Sequence, residues 1–230
     1  MKYIKGIFIN ELTNRFRAEI LIDGKHEICY VGSSCKLNNL INIRNHEVIL
    51  QNIEKKNSNL AYSLIAAKFD NKYIILNSLY ANKAYENYLK TQNCNSESNI
   101  ILKEYTESGY KSDFYLTNTK TIIEIKSIIT EKKEELFPQI NSQRFKRQIN
   151  NIPRLIEEGY NFRLVIISLN PGLRKVILKE ELLSLQSLLI KNFEIEAYTC
   201  TLRNNKPILK NKLSIEWEHK REAYNNINGI

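Results

Sequence analysis

The strongest constraint on this chain is Phe162–Leu169, F-R-L-V-I-I-S-L, a nearly unbroken apolar run. A strand that is apolar on both faces needs cover on both, so it belongs inside a layered α/β sheet. Its neighbours can supply that cover. Gln139–Glu158 reads as a helix that Pro153 should kink or restart, with Gly159 as C-cap. Pro171-Gly172 ends the strand, Lys179–Asn192 reads as an amphipathic helix, and Glu194–Leu202 as another strand. Upstream, Ala81–Lys90 has helical spacing, Thr91–Ser98 is a polar loop and Asn99–Tyr105 a strand. Lys111–Leu116 and Thr121–Ile128, joined by Thr117-Asn118-Thr119-Lys120, have the grammar of a hairpin. The polar tail after Asn204 suggests no element. Residues 77–230 are thus expected to form an α/β domain with a mixed sheet flanked by helices.

The first third is different. Tyr3–Asn10, Arg15–Ile22, His26–Val31, Glu47–Ile53, Tyr62–Phe69 and Tyr73–Leu76 are short β-type runs separated by turn formers, with Asp23 and Asp70 as hairpin corners. They suggest a small barrel over residues 1–76. The net charge of +9 makes an OB-fold-like, nucleic-acid-binding barrel the natural reading. The seven glycines are dispersed and form no phosphate-cradling loop. Four cysteines without a C-x-x-C pair, no signal peptide and no apolar run of spanning length together suggest a cytoplasmic protein with reduced thiols and no membrane partner.

The hairpin carries the chemistry. Glu124 and Lys126 sit two apart in an apolar strand and so share a face, and antiparallel pairing can bring Asp113 beside the Glu124 end. Asp is scarce here, with only Asp23, Asp70 and Asp113 in the chain. Burying two acids and a lysine together is costly unless something compensates, and a divalent cation does so naturally. Asp113, Glu124 and the carbonyl of Ile125 suit Mg²⁺ or Mn²⁺, with Lys126 orienting or helping to deprotonate an attacking water. Arg144, Arg147 and Gln148 follow on a basic helix and could engage phosphate. Glu86, on the helix before the hairpin, is a further candidate metal ligand. This order of elements is the layout of the PD-(D/E)xK nuclease core.

The sequence also resembles the sugar fermentation stimulation protein A family, from about Phe16 to Leu202. Arg15-Phe16-Arg17-Ala18 is similar to the family's R-F-x-A opening, and Asn77-Ser78-Leu79-Tyr80-Ala81-Asn82 to its N-T-x-x-P/A-N segment. Ser112-Asp113-Phe114, Ile123-Glu124-Ile125-Lys126 and Phe137-Pro138 match its S-R-x-D-F, V-E-V-K and F-P-D segments, and Arg144 and Arg147 match basic residues of its T-x-R-G-x-K-H-L helix. The resemblance implies an OB-fold followed by a PD-(D/E)xK nuclease-like domain, cleaving DNA or RNA with a divalent metal. It implies Asp113 and Glu124 as metal ligands and Lys126 as the catalytic lysine. Gln139, Ser142, Phe145 and Gln148 replace the family's Asp, Thr, Gly and His, and Gly32-Ser33-Ser34-Cys35 replaces Pro-Asn-Thr-Gly.

In the first domain, Arg15, Phe16, Arg17, Tyr30, Lys36 and Arg44 mix cations and rings as single-strand binders do. His26, Cys29, Cys35 and His46 fit no zinc spacing, and Ser33-Ser34-Cys35-Lys36 lacks the companion motifs of S-x-x-K acyl transfer. Two other readings stand beside the nuclease: a non-catalytic DNA-binding regulator that keeps the fold, and a protein-interaction scaffold. A homodimer is compatible with each.

Overall fold

The computed structural model describes residues 3–53, 59–92, 100–190 and 192–218. Six strands open it: β1 (Tyr3–Glu11), β2 (Arg17–Ile22), β3 (Lys25–Val31), β4 (Glu47–Asn52), β5 (Tyr62–Phe69) and β6 (Lys72–Ile75). Strand alternation builds the core here: β2 buries Ala18, Ile20 and Ile22 and turns the residues between them outward. The antiparallel order β3-β2-β1-β4-β5 closes on itself through a parallel pairing of β3 with β5, at Tyr30–Ser63 and Val31–Leu64. The result is a five-stranded barrel with β6 hairpinned onto β5. Asp23 and Asp70 do occupy the corners with positive φ, and Asp23-Gly24 has the two positive φ values of a tight hairpin turn.

Helix α1 (Leu79–Gln92) leads into a six-stranded sheet. Its strands are β7 (Ile101–Lys103), β10 (Phe114–Leu116), β11 (Thr121–Ile128), β13 (Asn161–Ser168), β15 (Phe193–Arg203) and β16 (Lys206–Lys212), in the order β16-β15-β13-β11-β10-β7. The middle three are parallel, and the remaining neighbours are antiparallel. Strands β8 (Thr106–Glu107) and β9 (Tyr110–Lys111) form a small ribbon before β10. Helix α2 (Gln143–Glu157) crosses between β11 and β13, while β12 (Glu134–Phe137), β14 (Lys175–Leu178) and β17 (Ser214–Trp217) pair in parallel as a separate sheet.

The apolar strand β13 sits at the centre, as its composition requires. Val165 and Ile167 face a core shared with β11, α1 and the barrel. Leu164 and Ile166 face a second core with α2 and the β12–β14–β17 sheet.

Several expectations are corrected. Helix α2 does not restart at Pro153 but runs through it as one element, with Ile149, Ile152, Leu155 and Ile156 buried on both sides of it. Gly159, at φ +90°, closes it as expected. The segment Glu180–Ile190 is a 3₁₀ helix rather than an amphipathic α-helix. Buried Leu182 and Leu185, with Leu188 packed against the same core, repeat every three residues, which is one turn of that helix. The tail after Asn204 supplies β16 and β17; Asn204 and Asn205 both take positive φ in the hairpin that leads into them. Lys111–Leu116 is broken into β9 and β10, with Asp113 between them. Most of the Thr91–Ser98 loop and Cys94 lie outside the described residues.

Candidate active site

The end of β11 meets the barrel and α1 at a cavity of about 380 Å³. Strand β10 pairs with β11 only as far as Phe114–Ile123, so the edge of β11 is open from Glu124 onward. Asp113 fills the gap: its Oδ2 accepts the amide of Ile125 at 2.7 Å, and its Oδ1 accepts Asn82 Nδ2 of α1 at 2.9 Å. In an extended strand the N–H and C=O of one residue point the same way, so the Ile125 carbonyl faces the Asp113 side as well.

Glu124 is only 4% exposed and has three donors. The Lys126 ammonium and Gln148 Nε2, the latter at 2.6 Å from α2, share its Oε1; the Tyr110 hydroxyl donates to Oε2 at 3.0 Å. Burial raises its carboxyl above the usual range; the Asp113 charge adds to this, while the ion pair to Lys126 and the Tyr110 bond oppose it. Tyr110 is pushed far up by its own burial and by the Glu124 charge, which keeps its hydroxyl protonated and able to donate. The acids outnumber the single lysine between them. Hard oxygen donors clustered in a part-buried site fit a divalent cation of the Mg²⁺ or Ca²⁺ kind.

Of the sequence candidates, Asp113, Glu124, Ile125, Lys126, Arg144 and Gln148 all line this cavity. Glu86 does not. It lies one turn beyond Asn82 on α1, where Lys90 and Lys103 take its carboxylate at 2.7 and 3.0 Å and hold its pKa below the usual range. Arg147 is also outside the cavity, its Nε 3.4 Å from the carbonyl of Gln143 one turn back. Arg144 lines the wall, is exposed, and its side chain makes no hydrogen bond or ion pair among the described residues.

From the barrel, Ser34 and Cys35 reach the same cavity. Arg15 donates to the Ser34 carbonyl and holds its guanidinium 4.5 Å above the ring of Phe16. Phe16 lies alongside Tyr30, with ring centres 6.4 Å apart and planes 12° from parallel. Arg17 is exposed on β2, and Lys36 is exposed next to Cys35. His26 bonds Glu19 and His46 bonds the Lys68 carbonyl, and no three potential metal-binding side chains among His, Cys, Asp and Glu gather among the described residues.

Sequence reasoning missed Asn82, Tyr110 and Gln139. Gln139 clasps the backbone of Ile129 with both amide atoms, at 3.0 and 2.9 Å, tying the loop after β12 to the end of β11.

The family model described as the sugar fermentation stimulation protein RE domain matches residues 79–206, the stretch that holds all of this machinery except the barrel residues. This chain belongs to the sugar fermentation stimulation protein family. A family homolog from Desulfitobacterium hafniense is 30% identical over 173 residues, covering 73% of this chain and 75% of that protein. One from Caldanaerobacter subterraneus is 27% identical over 222 residues, covering 92% and 96%. The structure of Pyrococcus furiosus SfsA in complex with Ca²⁺ shares the fold at TM-score 0.78 and 20% identity, covering 94% of this chain and 96% of the other. No helix among the described residues is long and apolar enough to cross a membrane.

Proposed function

We propose that this family member is a divalent-metal-dependent nuclease that hydrolyses phosphodiester bonds of DNA or RNA. The observation that carries the reading is one cavity holding a buried Glu124, a neighbouring Asp113, Lys126 and an exposed Arg144. Asp113, Glu124 and the carbonyl of Ile125 would hold Mg²⁺ or Mn²⁺, a reading supported by the Ca²⁺ complex of the Pyrococcus furiosus relative. The cation would supply charge neutralisation at the phosphate and a more acidic water. Lys126, shared with Glu124, orients the attacking water against phosphorus. Arg144 faces the negative charge that builds on the phosphate oxygens as the P–O ester bond breaks.

The same reading takes residues 1–76 as an OB-fold-like binding domain and 77–230 as a PD-(D/E)xK nuclease-like domain. The parallel β3–β5 closure of the barrel and the α1–β10–β11–α2 succession support it. Free thiols at Cys29, Cys35 and Cys200 suit a reducing, cytoplasmic setting.

The test is cleavage of labelled DNA and RNA with Mg²⁺, with Mn²⁺ and with chelator, comparing the parent with Glu124→Gln and Lys126→Ala. Metal-dependent cleavage should fall at least about a hundredfold in each variant. Cleavage that persists in both removes these residues from the mechanism. Salt-sensitive binding without turnover in the parent would favour the non-catalytic regulator.

A further inference from the structure

The mouth of the cavity is chemically unlike its floor. Below lie Glu124 and Asp113; above, Leu79 is 54% exposed and Ile140 39% exposed, both lining the same space. Leu79 is the first residue of α1; the next two, Tyr80 and Ala81, are buried in the core, while Leu79 is left exposed on the cavity side. Ile140 lies in the loop that Gln139 anchors. Side chains left in water gain nothing from folding, and a ligand that covers them gains the burial that folding left unused.

A ligand that meets the cations Arg144 and Lys126 and also covers the mouth must carry both an anionic group and an apolar face. Inorganic phosphate can meet only the cations. A nucleotide satisfies both, with its phosphate toward Arg144 and Lys126 and its base or sugar against Leu79 and Ile140.

Depth decides between strand forms. Because Glu124 is 4% exposed, a phosphate must descend into the cavity to come near it. In a duplex the bases are paired and stacked inside a stiff cylinder, out of reach of Leu79 and Ile140, unless a nucleotide is first extruded. A single strand can splay one nucleotide inward without that cost. The barrel side continues the track: Arg15 ties the Ser34 edge of the cavity to the Phe16–Tyr30 ring pair, and Phe16 is 39% exposed.

We propose that the cavity receives an unpaired nucleotide of a single-stranded nucleic acid, its base against Leu79 and Ile140, while a flanking base rests on the Arg15–Phe16–Tyr30 platform. This rests on the nuclease reading above and narrows its substrate to single strands, deoxy or ribo.

The test is fluorescence anisotropy in chelator, with a labelled single-stranded DNA, the same sequence as RNA, and the blunt DNA duplex in separate arms. At least one single strand should bind roughly tenfold more tightly than the duplex. The double variant Leu79→Ser/Ile140→Ser and the variant Phe16→Ala should each remove most of that advantage, with thermal melts showing that the fold is kept. Equal affinity for single strand and duplex, a duplex preference, or variants that keep the full advantage overturn this inference and leave the nuclease reading standing. A parent that binds none of the three and cleaves nothing with Mg²⁺ or Mn²⁺ overturns both.

Discussion

A carboxylate nearly sealed from water persists only when its oxygens are met by donors. Glu124 meets its own from three directions: Lys126 on its strand, Gln148 on α2 and Tyr110 on the β8–β9 ribbon. Tyr110 is the donor on Oε2, and it is itself buried at 5% exposure. Tyr110→Phe deletes that donor and little else. It should lower stability by about 1–3 kcal/mol, the cost of a buried acceptor losing its partner, read as a lower urea midpoint with an unchanged slope. An unchanged midpoint would mean that Glu124 is satisfied without it. The Glu124–Lys126 pair is legible in the sequence because a two-residue period fixes their shared face. Tyr110 is not, because a separate ribbon brings it there. Asn82 and Glu86 show the limit of reading a helix from spacing alone: one turn separates them, and only the packing of α1 across β16 and β11 selects Asn82 as the partner of Asp113.

At the scale of elements, the barrel and sheet meet where β3 ends and α1 begins. Gly32 lies against Asn77 so closely that a Cβ would sit 2.6–2.7 Å from the Asn77 amide group. That amide cannot swing aside freely, since its Oδ1 accepts the Leu79 amide at the start of α1, and Gly32's own carbonyl accepts both the amide and hydroxyl of Ser78. Gly32→Ala should therefore cost about 1–3 kcal/mol through overpacking, measured by urea denaturation; a neutral result would show that α1 can shift away from the barrel at no cost. The barrel strands were readable because alternation and Asp or Gly corners mark them. The β12–β14–β17 sheet was hidden because each strand has only four residues, too few to show a period, and each pairs with partners far along the chain. The 3₁₀ segment was readable as apolar and helical, but its three-residue period is easily taken for the α-helical one.

Across the whole molecule, one core crosses the boundary that the sequence suggests near residue 76. Barrel residues such as Phe8, Leu50 and Ile65 belong to the same buried cluster as Tyr85 of α1, Ile123 and Ile125 of β11 and Val165 of β13. Backbone bonds cross too: the amide of Ile75 donates to the carbonyl of Leu169 at 3.0 Å, at the end of the barrel and just past β13. Helix α1 is the shared layer, presenting Ala81, Ala84, Tyr85 and Leu89 to that cluster. Two units that bury each other's apolar surface unfold together, because separating them exposes the common core before either gains anything. The chain should therefore show one denaturation transition, with coincident urea midpoints from far-ultraviolet circular dichroism and from the fluorescence of Trp217, the single tryptophan, buried in the second core beside β14. Residues 1–76 expressed alone should lack a cooperative melt, since their share of the core would face water. Two separated midpoints, or a barrel fragment that melts cooperatively by itself, would mean that the cavity lies between independently folding halves and that its geometry depends on how they dock. A single transition makes the cavity part of one folded body, its Ser34–Cys35 edge held relative to Glu124 by the same core that holds the fold.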